Sequence, residues 1–347
     1  MSKIHVGASV SYDVTVERGI LDRVGEEAAK LIKPCRAVIV SGEKVFPLYG
    51  KRLVSSLENA GFEVLTFIHE SGEGAKSLAV FGALQSFLCE NHISRTDVLF
   101  ALGGGVTGDL TGFAAATYQR GIAFVQIPTT LLAAVDSSVG GKTAINIEAY
   151  KNQVGCFYQP KAVFCDPELL KTLPAEDYRC GCAEVIKYGV LGDAELFRML
   201  AESDIHENEE IIISRCVEKK RDIVQADEFD NGVRRLLNLG HTIGHAVEKC
   251  SNFKISHGDA VAIGMAAIMR SAAKRGICSD ADCENAIAVL KKHGLPTELC
   301  FERDELADAC KSDKKIAGSR LHLVVPEAIG SCRIIPIETD EIISWLN

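Results

Sequence analysis

No apolar run in this 347-residue chain reaches the roughly 18 residues that a membrane-spanning helix requires. The opening stretch, "MSKIHVGASVSYDV", lacks the hydrophobic core of a secretion signal and alternates like a strand instead. Internal repeats and low-complexity segments are missing too. So is any excess of positive charge: the formal net charge is −9, which argues against nucleic acid as a partner. The 13 cysteines follow no repeated spacing and their number is odd, so reduced, mostly buried thiols are expected rather than a disulfide framework. The one close pair, Cys180 and Cys182, is C-x-C, a poor match to a structural zinc knot. These absences point to a soluble cytoplasmic protein.

What is present is enough for a large interior. Hydrophobic residues make up 47% of the chain, and its length exceeds what one core usually serves, so two domains are expected. From residue 36, short apolar runs alternate with amphipathic stretches: "RAVIVSG", "FEVLTFIHE", "TDVLFALGG" and "IAFVQIPT" read as strands, with helices between them. That is the pattern of βαβ units and a largely parallel sheet. After Leu173 helical periodicity dominates, in "CAEVIKYGVLGDAELFRML", "EEIIISRCVEKKRDIVQADE", "LLNLGHTIGHAVEKC", "GDAVAIGMAAIMRSAAKRG" and "CENAIAVLKKHG". Strand-like alternation returns only in "RLHLVVP" and "CRIIPIE". An α/β domain over residues 1–174 and a mainly helical domain over 175–347 are expected, with substrate in a cleft between them.

Several short patterns carry chemistry. "GGGVTGD", Gly103 to Asp109, contains G-x-G-x-x-G between a strand and a helix, where glycines admit a pyrophosphate to free N–H groups. It sits on a late strand, and no acid follows at the usual distance of about 20 residues. A plain tight turn fits the same residues. "VGGKT" imitates a phosphate loop, but the glycine needed five residues before Gly141 is Asp136, so an ATPase is excluded. Lys142 still suits an anion.

"AEVIKYG" places Glu184 and Lys187 on one helical face. The default is an exposed ion pair, but the neighbours Val185, Ile186 and Tyr188 are apolar, and a carboxylate in such a setting needs a partner or a metal. "LNLGHTIGHAVE" sets His241 and His245 four apart, with Thr242 where a zinc peptidase would have its glutamate. "SHGDA" adds His257. Glu184 with two of these histidines would make a three-ligand zinc site with an open position. Spacing alone does not choose the two; by pattern the four-apart pair is favoured, with His257 a residue of the helix start. Lys142, Lys151, Lys187, Lys220, Arg234 and Lys314 each read singly as solvated surface charge, whereas convergence would suit a phosphate- and carboxylate-bearing substrate.

Taken together, "ALGGGVTGDLTGFAAATYQRG", "IPTTLLAAVDSSVGGKTAIN", "KNQVGCFYQP", "AEVIKYG", "LNLGHTIGHAVE" and "SHGDAVAIGM" closely resemble the 3-dehydroquinate synthase family of the sugar phosphate cyclases. The likeness runs in order over nearly the whole chain. It implies a nucleotide-binding first domain, a metal-binding helical second domain, and closure of 3-deoxy-D-arabino-heptulosonate 7-phosphate to 3-dehydroquinate with loss of phosphate. It also implies NAD, Zn2+ or Co2+, and a homodimer. The metal ligands it implies are Glu184, His241 and His257, against the pattern-based pair; His245 becomes a non-ligand near the leaving phosphate.

On the NAD side the resemblance places Glu73 and Lys76, then Gly105, Val106, Thr107, Gly108 and Asp109, then Thr129 and Thr130, and last Leu169, Leu170, Lys171 and Thr172. Asp136, Lys142 and Lys151 are shared between cofactor and substrate. The substrate pocket also takes in Asn152, Lys187, Lys220, Arg234, Asn238, His245 and Lys314, with Arg120 reaching the phosphate from a neighbouring subunit. The chain departs from the family pattern at Asp230, where glutamate is usual, and at Gly42, where many relatives have aspartate. Rival readings are another sugar phosphate cyclase, a metal-dependent polyol dehydrogenase, or a cofactor-binding module without catalysis.

Overall fold

The structure, a computed structural model, describes residues 1–148, 150–312 and 320–346, with Ser312 described by its backbone alone. Lys314 lies outside the described residues. The chain divides into two compact units, Met1–Pro174 with Lys220–Glu228, and Ala175–Lys219 with Phe229–Asn347.

The first unit is built on a seven-stranded sheet in the order β1-β2-β9-β6-β5-β3-β4. In chain order its elements are β1 (Ser2–Val6), β2 (Tyr12–Val16), α1 (Val24–Ala29), β3 (Arg36–Gly42), α2 (Phe46–Asn59), β4 (Glu63–His69), α3 (Leu78–Glu90), β5 (Val98–Gly103), α4 (Gly105–Thr117) and β6 (Ala123–Pro128). A separate antiparallel hairpin, β7 (Lys142–Ile147) and β8 (Tyr150–Phe157), precedes β9 (Ala162–Cys165). Only β1 and β2 pair antiparallel within the large sheet; the other neighbours are parallel.

Central strands read as unbroken apolar runs because both faces are buried. Ala37, Ile39, Val98, Phe100, Leu102, Val125 and Ile127 join one core with Leu53 and Leu57 of α2. Val38, Val40, Leu99 and Phe124 join the other, with Leu84 and Leu88 of α3 and Leu110 and Ala114 of α4. Local signals set the ends: Pro47 opens α2, and the Ser77 hydroxyl accepts from Val80 N–H at the start of α3. The β7–β8 hairpin was not foreseen as structure. Most of β8 is exposed, so it lacks the hydrophobic alternation that marks a half-buried strand.

The second unit holds α5 (Ala175–Gly192), α6 (Ala194–Glu202), α7 (Glu209–Ala226), α8 (His241–Cys250), α9 (His257–Lys274), α10 (Asp280–Lys292) and α11 (Arg303–Ser312). A hairpin of β10 (Arg320–Ala328) and β11 (Ser331–Glu338) follows. The last residues of α7 group with the first unit. Two expected helices are divided. Asp193 caps α6 by accepting from Leu196 N–H, which splits the run 182–200. The run 236–250 is a 3-10 turn, Val233–Asn238, then Gly240 at φ 78°, so α8 starts only at His241.

Helix spacing in this unit is set by missing side chains. A Cβ on Gly264 of α9 would lie 2.0 Å from the carbonyl oxygen of Gly240, just before α8. A Cβ on Gly258 would lie 2.4 Å from the backbone of Cys180 in α5. Three helices can therefore meet at backbone distance where α8 and α9 begin. Gly264→Ala is expected to lower unfolding stability by about 3 kcal/mol through overpacking, measured as a drop in the denaturation midpoint, with loss of bound divalent metal.

Candidate active site and metal centre

Glu184 lies mid-way along α5 and is 1% exposed. His241 is the first residue of α8 and His257 the first of α9, so the close start of those helices turns both rings toward the carboxylate. His257 Nε2 is 3.3 Å and His241 Nε2 3.5 Å from Glu184 Oε1. Donors held about 2.0–2.1 Å from a tetrahedral ion stand roughly 3.3–3.4 Å apart, so these two separations suit a shared metal, and all three donors lie within 4.8 Å of one another. One carboxylate and two imidazoles form the donor set of open, catalytic zinc sites.

The outer nitrogens are fixed as well. His241 Nδ1 lies 3.1 Å from the Leu239 carbonyl, which can only accept, so the proton sits on Nδ1 and Nε2 presents its lone pair. His257 Nδ1 lies 3.4 Å from Glu248 Oε2. The pattern-based pair is corrected here. His241 groups with Glu184 and His257, whereas His245 groups with Glu248 and His257, and His257 both starts a helix and faces the carboxylate. Glu248 was missed by sequence reasoning. Its signal was a buried acid on the apolar side of α8, three residues after His245. Neither Cys180 nor Cys182 belongs to a possible metal-holding group among the described residues, and burial pushes both thiols up to about 12.

Burial drives the His241 imidazole down to about 3, so it is neutral at any working pH. Burial works the same way on His257, but hydrogen bonding to Glu184 and Glu248 outweighs it and raises that ring to about 10. Without an ion, the pocket therefore draws a proton onto His257: its carboxylates attract positive charge.

Three of the six basic residues, Lys187, Lys220 and Arg234, are not the solvated charges that each suggested alone. Lys187 is 1% exposed, with Nζ 2.5 Å from Glu184 Oε2. The Glu184–Lys187 pair is thus buried, not superficial. Arg234, on the 3-10 turn before α8, is 2% exposed, and Lys220 is buried and bonded to the Asp136 carboxylate and carbonyl. Burying cations is costly unless they are paired. Lys142, Asn152, Asn238, His245 and Arg120 are exposed, and Lys151 is half-buried. Arg120 sits on a turn of three consecutive positive φ values, Gln119 at 52°, Arg120 at 65° and Gly121 at 124°.

In the first unit, the chain runs from β3 outward to β4 and then returns to the other side of β3 as β5. The strand order reverses between β3 and β5, and ligands of such sheets bind beyond the strand ends at that point. The glycine-rich turn follows β5 there, and α4 begins at Gly105 with its free N–H groups. Val106, Thr107, Gly108 and Asp109 form its first turns. Thr129 N–H donates to the Gly103 carbonyl, and the Thr130 hydroxyl accepts from Ala133 N–H.

The buried Lys76 ammonium bridges Asp109 Oδ2 at 2.6 Å and Asn152 Oδ1 at 2.5 Å. Burial raises the Asp109 pKa, and Lys76 opposes it. Glu73 accepts from Asn146 Nδ2 at 2.7 Å. The Pro167–Thr172 turn packs on α2: Tyr49 bonds the Leu169 carbonyl and the Thr172 hydroxyl, Leu170 is buried, and Lys171 pairs with Glu168.

Comparison with known proteins shows the family and the fold. Residues 66–180 match the family model described as 3-dehydroquinate synthase N-terminal, and residues 181–316 the one described as 3-dehydroquinate synthase C-terminal. A 3-dehydroquinate synthase of Enterococcus faecalis is 43% identical over 343 residues, 97% of this chain and 96% of its own. Among solved structures, a 2-epi-5-epi-valiolone synthase from Streptomyces hygroscopicus subsp. jinggangensis, with NAD+ and Zn2+ bound, has a TM-score of 0.88 at 28% identity, covering 99% of this chain and 98% of the other. A 2-deoxy-scyllo-inosose synthase complexed with carbaglucose-6-phosphate, NAD+ and Co2+ gives 0.89 at 23% identity over 99% of both chains, a likeness of fold.

The geometry separates the three histidines experimentally. His257→Ala is expected to lose bound metal and His245→Ala to retain it, read by elemental analysis after desalting. Metal uptake by stripped protein must displace the His257 proton, whereas His241 has none to lose. Apparent Zn2+ affinity should therefore rise about tenfold per pH unit between pH 7 and 9 and level off above about 10. Calorimetry in buffers of differing ionisation enthalpy checks this through about one proton released per ion.

Proposed function

The chain belongs to the 3-dehydroquinate synthase family, and from that membership we infer that it closes 3-deoxy-D-arabino-heptulosonate 7-phosphate into 3-dehydroquinate, releasing phosphate. It uses NAD and a divalent metal. The observation that carries this reading is the grouping of Glu184, His241 and His257 donors within 4.8 Å of one another, beside a buried lysine. When bound, NAD supplies a hydride acceptor that is regenerated each turnover, and Zn2+ or Co2+ supplies Lewis acidity toward substrate oxygens.

In this reading residues 1–174 hold NAD, and residues 175–347 hold the ion and part of the substrate. Glu184, His241 and His257 are the metal ligands. Gly105 to Asp109, Thr129 and Thr130 receive the pyrophosphate region, Glu73 and Lys76 line the same crevice, and Leu169 to Thr172 close it against α2. The Lys187 ammonium, fixed in the interior, meets negative charge that develops on substrate oxygen without waiting for solvent to reorganise. Arg234, Lys142, Lys151 and Lys220 serve the phosphate and other anionic groups, and Asp136 holds Lys220 in place. Asn152 and Asn238 orient hydroxyls by neutral hydrogen bonds. His245 lies near the departing phosphate and helps neutralise its developing charge, and Lys314 takes the substrate carboxylate.

No strong protein base is needed in this scheme, because the phosphate can take the neighbouring C6 proton as it leaves. The pairing of Asp109 with Lys76 and of Asp136 with Lys220 supports that economy. The active form is a homodimer in which Arg120 serves the neighbouring subunit; its exposure on a turn supports this. A cytoplasmic location suits thirteen cysteines that are all free thiols. No helix among the described residues is long and apolar enough to cross a membrane.

Incubation with the heptulosonate 7-phosphate, catalytic NAD and Zn2+ is expected to release phosphate with no net NADH. Steady accumulation of NADH without phosphate would sink the reading in favour of a polyol dehydrogenase. Lys187→Met should lower kcat by about 100- to 1000-fold while metal content stays near wild type, checked by steady-state kinetics beside elemental analysis.

A further inference from the structure

The crevice between β3 and β5 lacks a feature that dinucleotide folds normally have. An acid usually reads the adenosine ribose hydroxyls, and a nearby cation takes over where the ribose carries a 2′-phosphate. Position 42, the last residue of β3 and one wall of this crevice, is glycine. A Cβ there would lie 3.4 Å from the Ser71 hydroxyl and 3.6 Å from the His69 ring, ordinary contact distances, so a side chain would fit and none is supplied.

The next residue, Glu43, is acidic. Val45 N–H bonds the Gly42 carbonyl, which puts Glu43 and Lys44 at the corners of a turn. Glu43 N–H donates to the His69 carbonyl at 2.9 Å, which anchors its backbone at the end of β4. Its carboxylate bends back to Ser71, where Oε1 lies 3.4 Å from the N–H. This is the same residue that a side chain at 42 would touch. The His69 ring beneath contacts the Thr107 hydroxyl at 3.1 Å, so this corner adjoins the helix start that faces the pyrophosphate.

The geometry points to Glu43 as the carboxylate that reads the adenosine ribose of the dinucleotide, in place of an acid at position 42, and so as the residue that selects NAD over NADP. The assignment rests on the NAD reading above. A carboxylate accepts from both ribose hydroxyls, and it repels a 2′-phosphate. The bond to Ser71 is long and weak, so Glu43 gives it up readily for a ribose. Without that carboxylate, the exposed Lys44 would favour the phosphate.

The test is the Kd of NAD and of NADP for the full-length, zinc-loaded protein by calorimetry, with melting temperature as a control for folding. Glu43→Gln is expected to weaken NAD by about 10-fold or more, as loss of a charge-assisted hydrogen bond does. It should strengthen NADP and leave the melting temperature unchanged, because the side chain is exposed. Adding Gly42→Asp to Glu43→Gln is expected to restore the preference for NAD. If Glu43→Gln keeps both constants within about twofold of wild type, in a protein that binds NAD, the assignment falls and the cofactor reading stands. If the wild type binds no NAD, both fall.

Discussion

A single carboxylate in the interior of the second unit governs its architecture. Glu184 is almost wholly withdrawn from water. An unpaired charge there would cost several kcal/mol. The surroundings supply one ammonium and two imidazoles, and leave room for a cation where the three donors converge. The helices can bring these groups together only because Gly258 and Gly264 allow backbones to touch. Starting α8 and α9 at the histidines has a further consequence. The positive end of a helix disfavours a charged imidazole, which keeps ring nitrogens ready to donate a lone pair. At His257 two carboxylates reverse that preference, and a metal ion would satisfy them in place of the proton.

Charge distribution follows from the same constraint. The chain is acidic overall, at −9, yet Lys187, Lys220 and Arg234 are all buried. Lys187 is held by Glu184 and Lys220 by Asp136. Each such cation is held in place within the fold rather than ordered by solvent.

In the first unit the nucleotide crevice is a product of topology. The glycine-rich turn follows β5, but its partner wall is the end of β3, which comes some sixty residues earlier in the chain. The reversal of strand order between β3 and β5 sets the end of β3 beside the end of β5, and no linear spacing encodes that neighbourhood.

The sequence by itself determined the central parallel strands of the α/β half and the helices between them, though not the exposed β7–β8 hairpin. Runs such as "RAVIVSG" and "TDVLFALGG" have no stable state except burial on both faces of a parallel sheet. It also determined the chemical types at the site, since a carboxylate inside an apolar helix demands a partner and histidines are at hand to supply one. Tertiary structure decided which groups became those partners. The choice of His257 over His245 beside Glu184 and the contact of Glu248 behind it depend on where α8 and α9 begin. The reason is physical: helical periodicity fixes which residues share a face, whereas ligand geometry is set to tenths of an ångström by backbone contacts between segments distant in sequence, as where Gly264 lies against Gly240.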